Sequence, residues 1–209
     1  MRIDDQIYFA PGIRFQDLNW DNPLALVDAF KKRVCGLYLI PAQDFITIAR
    51  NDPDVNRLPG LAFGCGVLCS TAIDFLAGFE FFPSKNVSVR YEKWLLRRIG
   101  MLAQANPGNP KKTLAVRFYE DFRNGLVHEG RIKNASQFSL DQGLFQENPL
   151  YTIIQGTMIV NPAELLECIR SGLNTYLDET QFDENSIEKL KNTLNSFFSA
   201  DIELINKNG

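Results

Sequence analysis

The chain holds one histidine, His128, five residues after Arg123 and four after Asn124. Imidazole is the side chain that titrates naturally near neutrality, which suits it to general acid–base work. A guanidinium offers a planar fork of donors that can stabilise charge building up around phosphorus. Asn124 can orient a phosphate or the imidazole itself. The four cysteines, Cys35, Cys65, Cys69 and Cys168, lie far from His128 in sequence, so no zinc-type ligand set is visible. No G-x-S-x-G nucleophile elbow occurs either. These residue types suit acid–base chemistry beside a bound anion, which calls for no metal or cofactor, with Arg123, Asn124 and His128 as the catalytic candidates.

An element must hold these groups, and residues 111–133, KKTLAVRFYEDFRNGLVHEGRIK, read as one amphipathic helix. Thr113 can cap its start by accepting a hydrogen bond from a free first-turn amide. Leu114, Phe118, Phe122 and Leu126 recur every four residues as an apolar stripe. Arg117, Asp121, Asn124 and His128 are spaced by four, three and four, along another face. Gly130 is placed to end the helix in the left-handed conformation. The pattern predicts a helix over 113–129 with Phe118 and Phe122 buried and His128 in its last turn.

Arg123-Asn124-Gly125-Leu126-Val127-His128 resembles the signature of the HEPN superfamily: an arginine, four to six residues, then a histidine at the end of a bundle helix, often with a polar residue after the arginine. The likeness covers 113–130 by motif and 22–130 by helix pattern, and does not extend to 131–209. Many members of that family are metal-independent endoribonucleases, and others bind RNA, nucleotides or proteins. The resemblance implies transesterification by the 2′-hydroxyl of RNA, with His128 as acid or base and Arg123 stabilising the transition state. It also implies a homodimer with the motifs facing each other. Some toxin members carry a tyrosine two residues after the histidine, where this chain has Gly130.

Net charge is −3, but it is unevenly spread. Residues 83–133 hold eleven Lys or Arg against four acids, a surplus of +7, so the rest of the chain carries −10. Either this basic stretch serves a phosphate-bearing partner, with Arg97, Arg98, Arg117, Arg131 and Lys133 as RNA contacts, or its charges face the acidic remainder of the same chain. Asp74 is the one charge in the apolar run 60–79. A carboxylate there needs a partner. It points either at Arg123 and His128 or at solvent or a neighbouring helix end. Asp74 and Asp121 are the supporting carboxylates.

The chain is 209 residues long, enough for one sizeable domain. No apolar run reads as a membrane span and the start has no signal-peptide pattern, so the expectation is a cytoplasmic protein with buried, reduced thiols. Residues 1–21 read as an irregular or short-stranded arm. A helix from Asn22-Pro23 runs to about residue 49 and should kink or break at Pro41. Residues 60–79 form a central helix, and 88–104 form another with Tyr91, Trp94, Leu95, Ile99 and Leu102 inward and Arg90, Lys93, Arg97 and Arg98 outward. Residues 106–110 read as a loop. Beyond 130, residues 137–141, 151–155 and 157–160 suggest a small antiparallel sheet. Helices follow over 162–177 and from Asp183, where Ile187, Leu190, Leu194, Phe197, Asp201 and Leu204 make a three-four stripe.

The expected fold is mostly α: an up-and-down helical bundle over 22–130, HEPN-like, with a small antiparallel β insertion and two C-terminal helices over 131–209, in one compact domain. The leading function is metal-independent RNA cleavage or RNA binding. The rival is a non-catalytic interaction or nucleotide-binding module, such as a defence or toxin–antitoxin accessory with a protein or antitoxin partner. On that view Arg123 and His128 bind an anion or hold the helix end.

Overall fold

The computed structural model describes residues 2–3 and 6–208. Parts of the expected N-terminal arm, at residues 1, 4 and 5, lie outside the described residues. The chain is mostly helical with small β-sheets. Strands β1 (Arg2–Ile3), β2 (Gln6–Ala10) and β3 (Ile13–Arg14) pair antiparallel, and Gly12 turns between the last two at φ 74°. Helix α1 (Pro23–Val34) starts as its sequence demands: Asn22 accepts a hydrogen bond from Ala25 N–H, and Pro23 takes the first turn, where its missing N–H costs nothing.

The interruption expected at Pro41 takes the form of a π-helical turn over Cys35–Leu39. Pro41 falls in the first turn of α2 (Ile40–Asn51), where its missing N–H breaks no helical bond. Next come α3 (Leu58–Glu80) and α4 (Val87–Arg98). Helix α4 is shorter than the expected 88–104. It ends where Ile99 turns out to φ −130°, before Gly100, and a 3₁₀ turn over Gly100–Ala103 still buries Leu102. Residues expected as a loop instead form the hairpin β4 (Ala105–Asn106) and β5 (Asn109–Thr113), with Pro107-Gly108 at its tip.

The motif helix then runs as α5 (Leu114–Phe118), a π turn over Tyr119–Arg123, and α6 (Asn124–Glu129). Strands β6 (Gln137–Phe138), β7 (Tyr151–Ile154) and β8 (Thr157–Val160) form one sheet. β7 and β8 make the expected antiparallel hairpin around Gln155 and Gly156, both at positive φ. β6 departs from expectation: it pairs parallel to β8, Phe138 opposite Val160. A long connection separates them, as a parallel pair requires, and the ring of Phe138 is seated against Gly66 of α3.

Helix α7 (Pro162–Gln181) is followed by α8 (Glu184–Phe197), capped by Asp183 on Ser186 N–H, and α9 (Ser199–Asn208). The expected single last helix breaks at Phe198. That residue, and not the anticipated Phe197, is buried.

The chain divides into two units, residues 1–37 with 173–209, and residues 38–172. This partition cuts across the expected ranges 1–21, 22–130 and 131–209. In the first unit Phe9, Phe15 and Phe198 pack edge to face with centroids 5.3–5.5 Å apart. The Arg33 guanidinium lies over the Phe9 and Phe198 rings and donates to the Phe9 carbonyl. In the second unit α3 is the core. Cys65, Cys69, Ala72, Ile73, Leu76 and Ala77 are buried along it, with α2, α4 and β6 against it. Gly64 admits the Phe45 ring just as Gly66 admits Phe138. Residues 55–80 are, against the sequence expectation, long and apolar enough to span a membrane by length and composition. Much of that stretch is instead buried within the fold. The thiols of Cys65 and Cys69 both approach the Pro162 carbonyl, at 3.7 and 3.8 Å.

Candidate functional site

The motif helix forms with the ends its sequence encodes. Thr113 Oγ1 accepts from Val116 N–H at 3.3 Å, and Gly130 closes the helix at φ 64°, its N–H bonded to the Gly125 carbonyl. Leu114, Phe118 and Phe122 are buried, and Leu126 is half-buried. Phe118 stacks on Phe122 at 4.8 Å, and Phe122 meets Phe138 at 4.7 Å. This stripe anchors the helix and leaves its end, Val127 to Gly130, in solvent.

The second face expected from sequence is split. The π turn adds a residue to one helical turn and rotates everything after it. Arg117, which precedes that turn, and Asp121, within it, face inward as a buried pair, Nε to Oδ2 at 3.1 Å. Arg117 also donates to the Gly156 carbonyl at 2.5 Å and to Asn106 at 3.5 Å. Asp121 accepts from Asn134 Nδ2 at 2.5 Å and Ser136 Oγ at 2.9 Å, while its carbonyl takes Lys133 N–H. Arg117, expected as an RNA contact, is thus committed to the fold, because every side of its guanidinium meets protein acceptors. Asp121 supports the site only indirectly, by tying residues 133–136 across the helix.

Arg123 and Asp74 do come together. Asp74 Oδ2 accepts from Arg123 Nε and Nη2 at 3.2 and 2.8 Å, and the Arg123 guanidinium lies 5.7 Å from the Tyr119 ring. The Arg123 side chain is 13% exposed. Asp74 Oδ1 also meets Arg90 Nη2 at 3.4 Å. His128 is exposed one turn further on. Asn124 shares the α6 face with His128 by its spacing of four. It lines a groove of about 410 Å³ with Ser88, Glu92, Val116, Tyr119 and Glu120. Glu120 there is bound by Lys112 at 2.5 Å.

The basic surplus is largely neutralised at home. Arg98, expected to face outward, is buried on Glu80, with Nη2 to Oε1 at 2.7 Å and Nε to Oε2 at 3.1 Å. Arg97 reaches the same carboxylate at 3.1 Å from an exposed position. Arg131 and Lys133 flank Glu129 at 2.7 and 2.6 Å. The bond from Lys133 and the nearby Arg131 hold the Glu129 carboxyl below its usual range. Lys85, Lys93 and Lys111 are exposed. Burial pushes the Tyr91 phenol up, with its hydroxyl donating to the Ser70 carbonyl at 3.4 Å.

Sequence reasoning missed three residues that hold the candidate side chains where they lie. Arg90 and Glu80 supply ion-pair partners from neighbouring helices, and nothing local signals such pairing. Gly125 could have been read, since a glycine inside an otherwise strong helix asks for a reason. The reason is the Arg131 carbonyl, which lies where a Gly125 β-carbon would be. Two further cavities of the same unit, about 410 and 630 Å³, are lined by none of the candidate site residues. Among the described residues no group of three His, Cys, Asp or Glu side chains converges to hold a metal ion. No protein-family model matches the chain, and no curated protein or solved structure matches it.

Proposed function

We propose that this chain is a HEPN-like helical module that engages RNA at the end of its motif helix and cleaves it without a metal. The observation that carries the reading is the exposed His128 in the last turn of a helix otherwise pinned by its buried stripe, five residues after Arg123. In the reaction the RNA 2′-hydroxyl attacks phosphorus, the 5′-oxygen leaves, and a 2′,3′-cyclic phosphate forms. His128 takes the proton from the 2′-hydroxyl or returns one to the leaving oxygen. Arg123 stabilises the charge on the phosphoryl oxygens. Asn124 orients the phosphate or the imidazole. A homodimer doubles this small set of groups about a two-fold axis, and the cytoplasm is the setting we assign to it.

Incubating the purified protein with mixed RNA, with and without EDTA, tests this beside His128→Ala. Cleavage should ignore EDTA, leave 2′,3′-cyclic ends and vanish in His128→Ala. Arg123→Ala should lose on the order of a hundredfold, and Arg123→Lys should rescue poorly, since an ammonium lacks the fork. Cleavage that persists in His128→Ala, or a monomer by sedimentation at micromolar concentration, counts against the reading.

The Asp74–Arg123 ion pair favours a second reading, a non-catalytic module that binds an anion, a nucleotide or a protein partner in a defence or toxin–antitoxin setting. RNA binding with no cleavage under any condition, unchanged in His128→Ala, supports that reading instead.

A further inference from the structure

Asp74 divides one carboxylate between two arginines, and neither is served well. Arg123 places Nε and Nη2 on the single oxygen Oδ2, while Arg90 places only Nη2 on Oδ1, at 3.4 Å. Arg90 Nε is buried with no hydrogen-bond partner, as is Oγ of Ser70, one turn before Asp74 on α3. Two cations thus share one anion, and a donor of the more weakly bound cation is idle. A guanidinium binds a carboxylate best through two parallel N–H···O bonds, one to each oxygen. Arg90 can form that fork only when Arg123 gives up Oδ2.

We infer that Asp74 is a carboxylate handed between Arg123 and Arg90, and that the exchange frees Arg123 for a phosphate of the RNA backbone. The inference rests on the RNA reading above. When Arg123 turns to a phosphate, Oδ2 becomes free for Arg90, whose orphaned Nε and existing Nη2 then complete the fork. The phosphate supplies the negative charge the cluster lacks, so both cations end with an anion of their own. Arg90 and Asp74 are positioning residues here, and neither touches RNA. Arg90 sets how readily Arg123 leaves, and Asp74 sets where it waits.

The test is a double-mutant cycle on the full chain, read as the Kd for a labelled mixed-sequence single-stranded RNA oligonucleotide, with thermal melts run on every variant. Arg90→Gln removes the alternative holder of Asp74 and should weaken binding by about tenfold, a common size for coupling between sites. In an Asp74→Asn background there is no ion pair to hand over, so Arg90→Gln should then change little. Arg90→Lys keeps the charge without the fork and should weaken binding in the same background-dependent way, which covers the case where Arg90→Gln fails to fold. An Arg90 effect of equal size in both backgrounds, with a shallower salt dependence, would mean direct phosphate contact and overturn the handover. So would no Arg90 effect while Arg123→Ala still weakens binding. If Arg123→Ala itself leaves RNA binding unchanged, the RNA reading fails first.

Discussion

The carbonyl oxygen of Arg131 occupies the place where a β-carbon on Gly125 would have to sit. The chain folds back over the end of the motif helix there, with Arg131 N–H on the Gly125 carbonyl at 3.3 Å and Lys133 N–H on the Asp121 carbonyl at 2.8 Å. Gly125→Ala gains helix propensity, but backbone has to move to admit the methyl. We expect a net loss of about 2 kcal/mol, read as a lower urea midpoint at unchanged m. A variant as stable as the parent would show that residues 131–133 are not packed on the helix.

Asp74 holds Arg123 and Arg90 together in a partly buried place. Asp74→Ala leaves two guanidinium groups without their acceptor and should cost about 2 kcal/mol. Asp74→Asn, which keeps an acceptor oxygen, should cost visibly less. Equal losses in equilibrium denaturation would mean that the space Asp74 fills matters and its oxygens do not.

Arg97 and Arg98 are neighbours in sequence with opposite duties. Arg98→Ala takes from Glu80, 5% exposed at its side chain, the two bonds of its buried partner. That change should cost about 3 kcal/mol. Arg97→Ala removes an exposed partner and should cost less than about 1 kcal/mol. Separate thermal melts of the two single variants decide this. If both are silent, Glu80 is hydrated and the buried pair is misread.

Burial, with Glu164 and Glu167 nearby, pushes the Cys168 thiol up to about 11. Only the thiolate is nucleophilic, so iodoacetamide labelling of Cys168, followed by peptide mass spectrometry, should be slow at pH 8. It should rise roughly tenfold per pH unit toward 11. The folded thiol holds its proton more tightly than the ordinary value of 9.0. Its contribution to stability is therefore complete below pH 9 and is lost as pH rises from 9 through 11. A labelling rate that levels off by pH 9 would contradict the raised value.

What the sequence determined by itself was what acts over three or four residues. Thr113, Asn22 and Asp183 cap helices because each side chain reaches an amide on the next turn. Gly130 ends the motif helix because it enters the left-handed region without penalty. The stripe Leu114, Phe118, Phe122 and the inward set Tyr91, Trp94, Leu95 named the buried faces correctly, because apolar spacing follows helical period. The tertiary structure decided which polar residues share that burial. An arginine four residues before an aspartate reads equally well as a surface pair or an inward one. Arg117 and Asp121 turned inward because Gly156, Asn106 and Ser136 waited there as partners. Arg123 met Asp74 across 49 residues of chain, and Arg98 met Glu80. The parallel pairing of β6 with β8 and the burial of Phe198 in place of Phe197 were settled in the same way, by partners distant in sequence. Periodicity reports which side of a helix is apolar; it carries no information about what the fold sets opposite each charge.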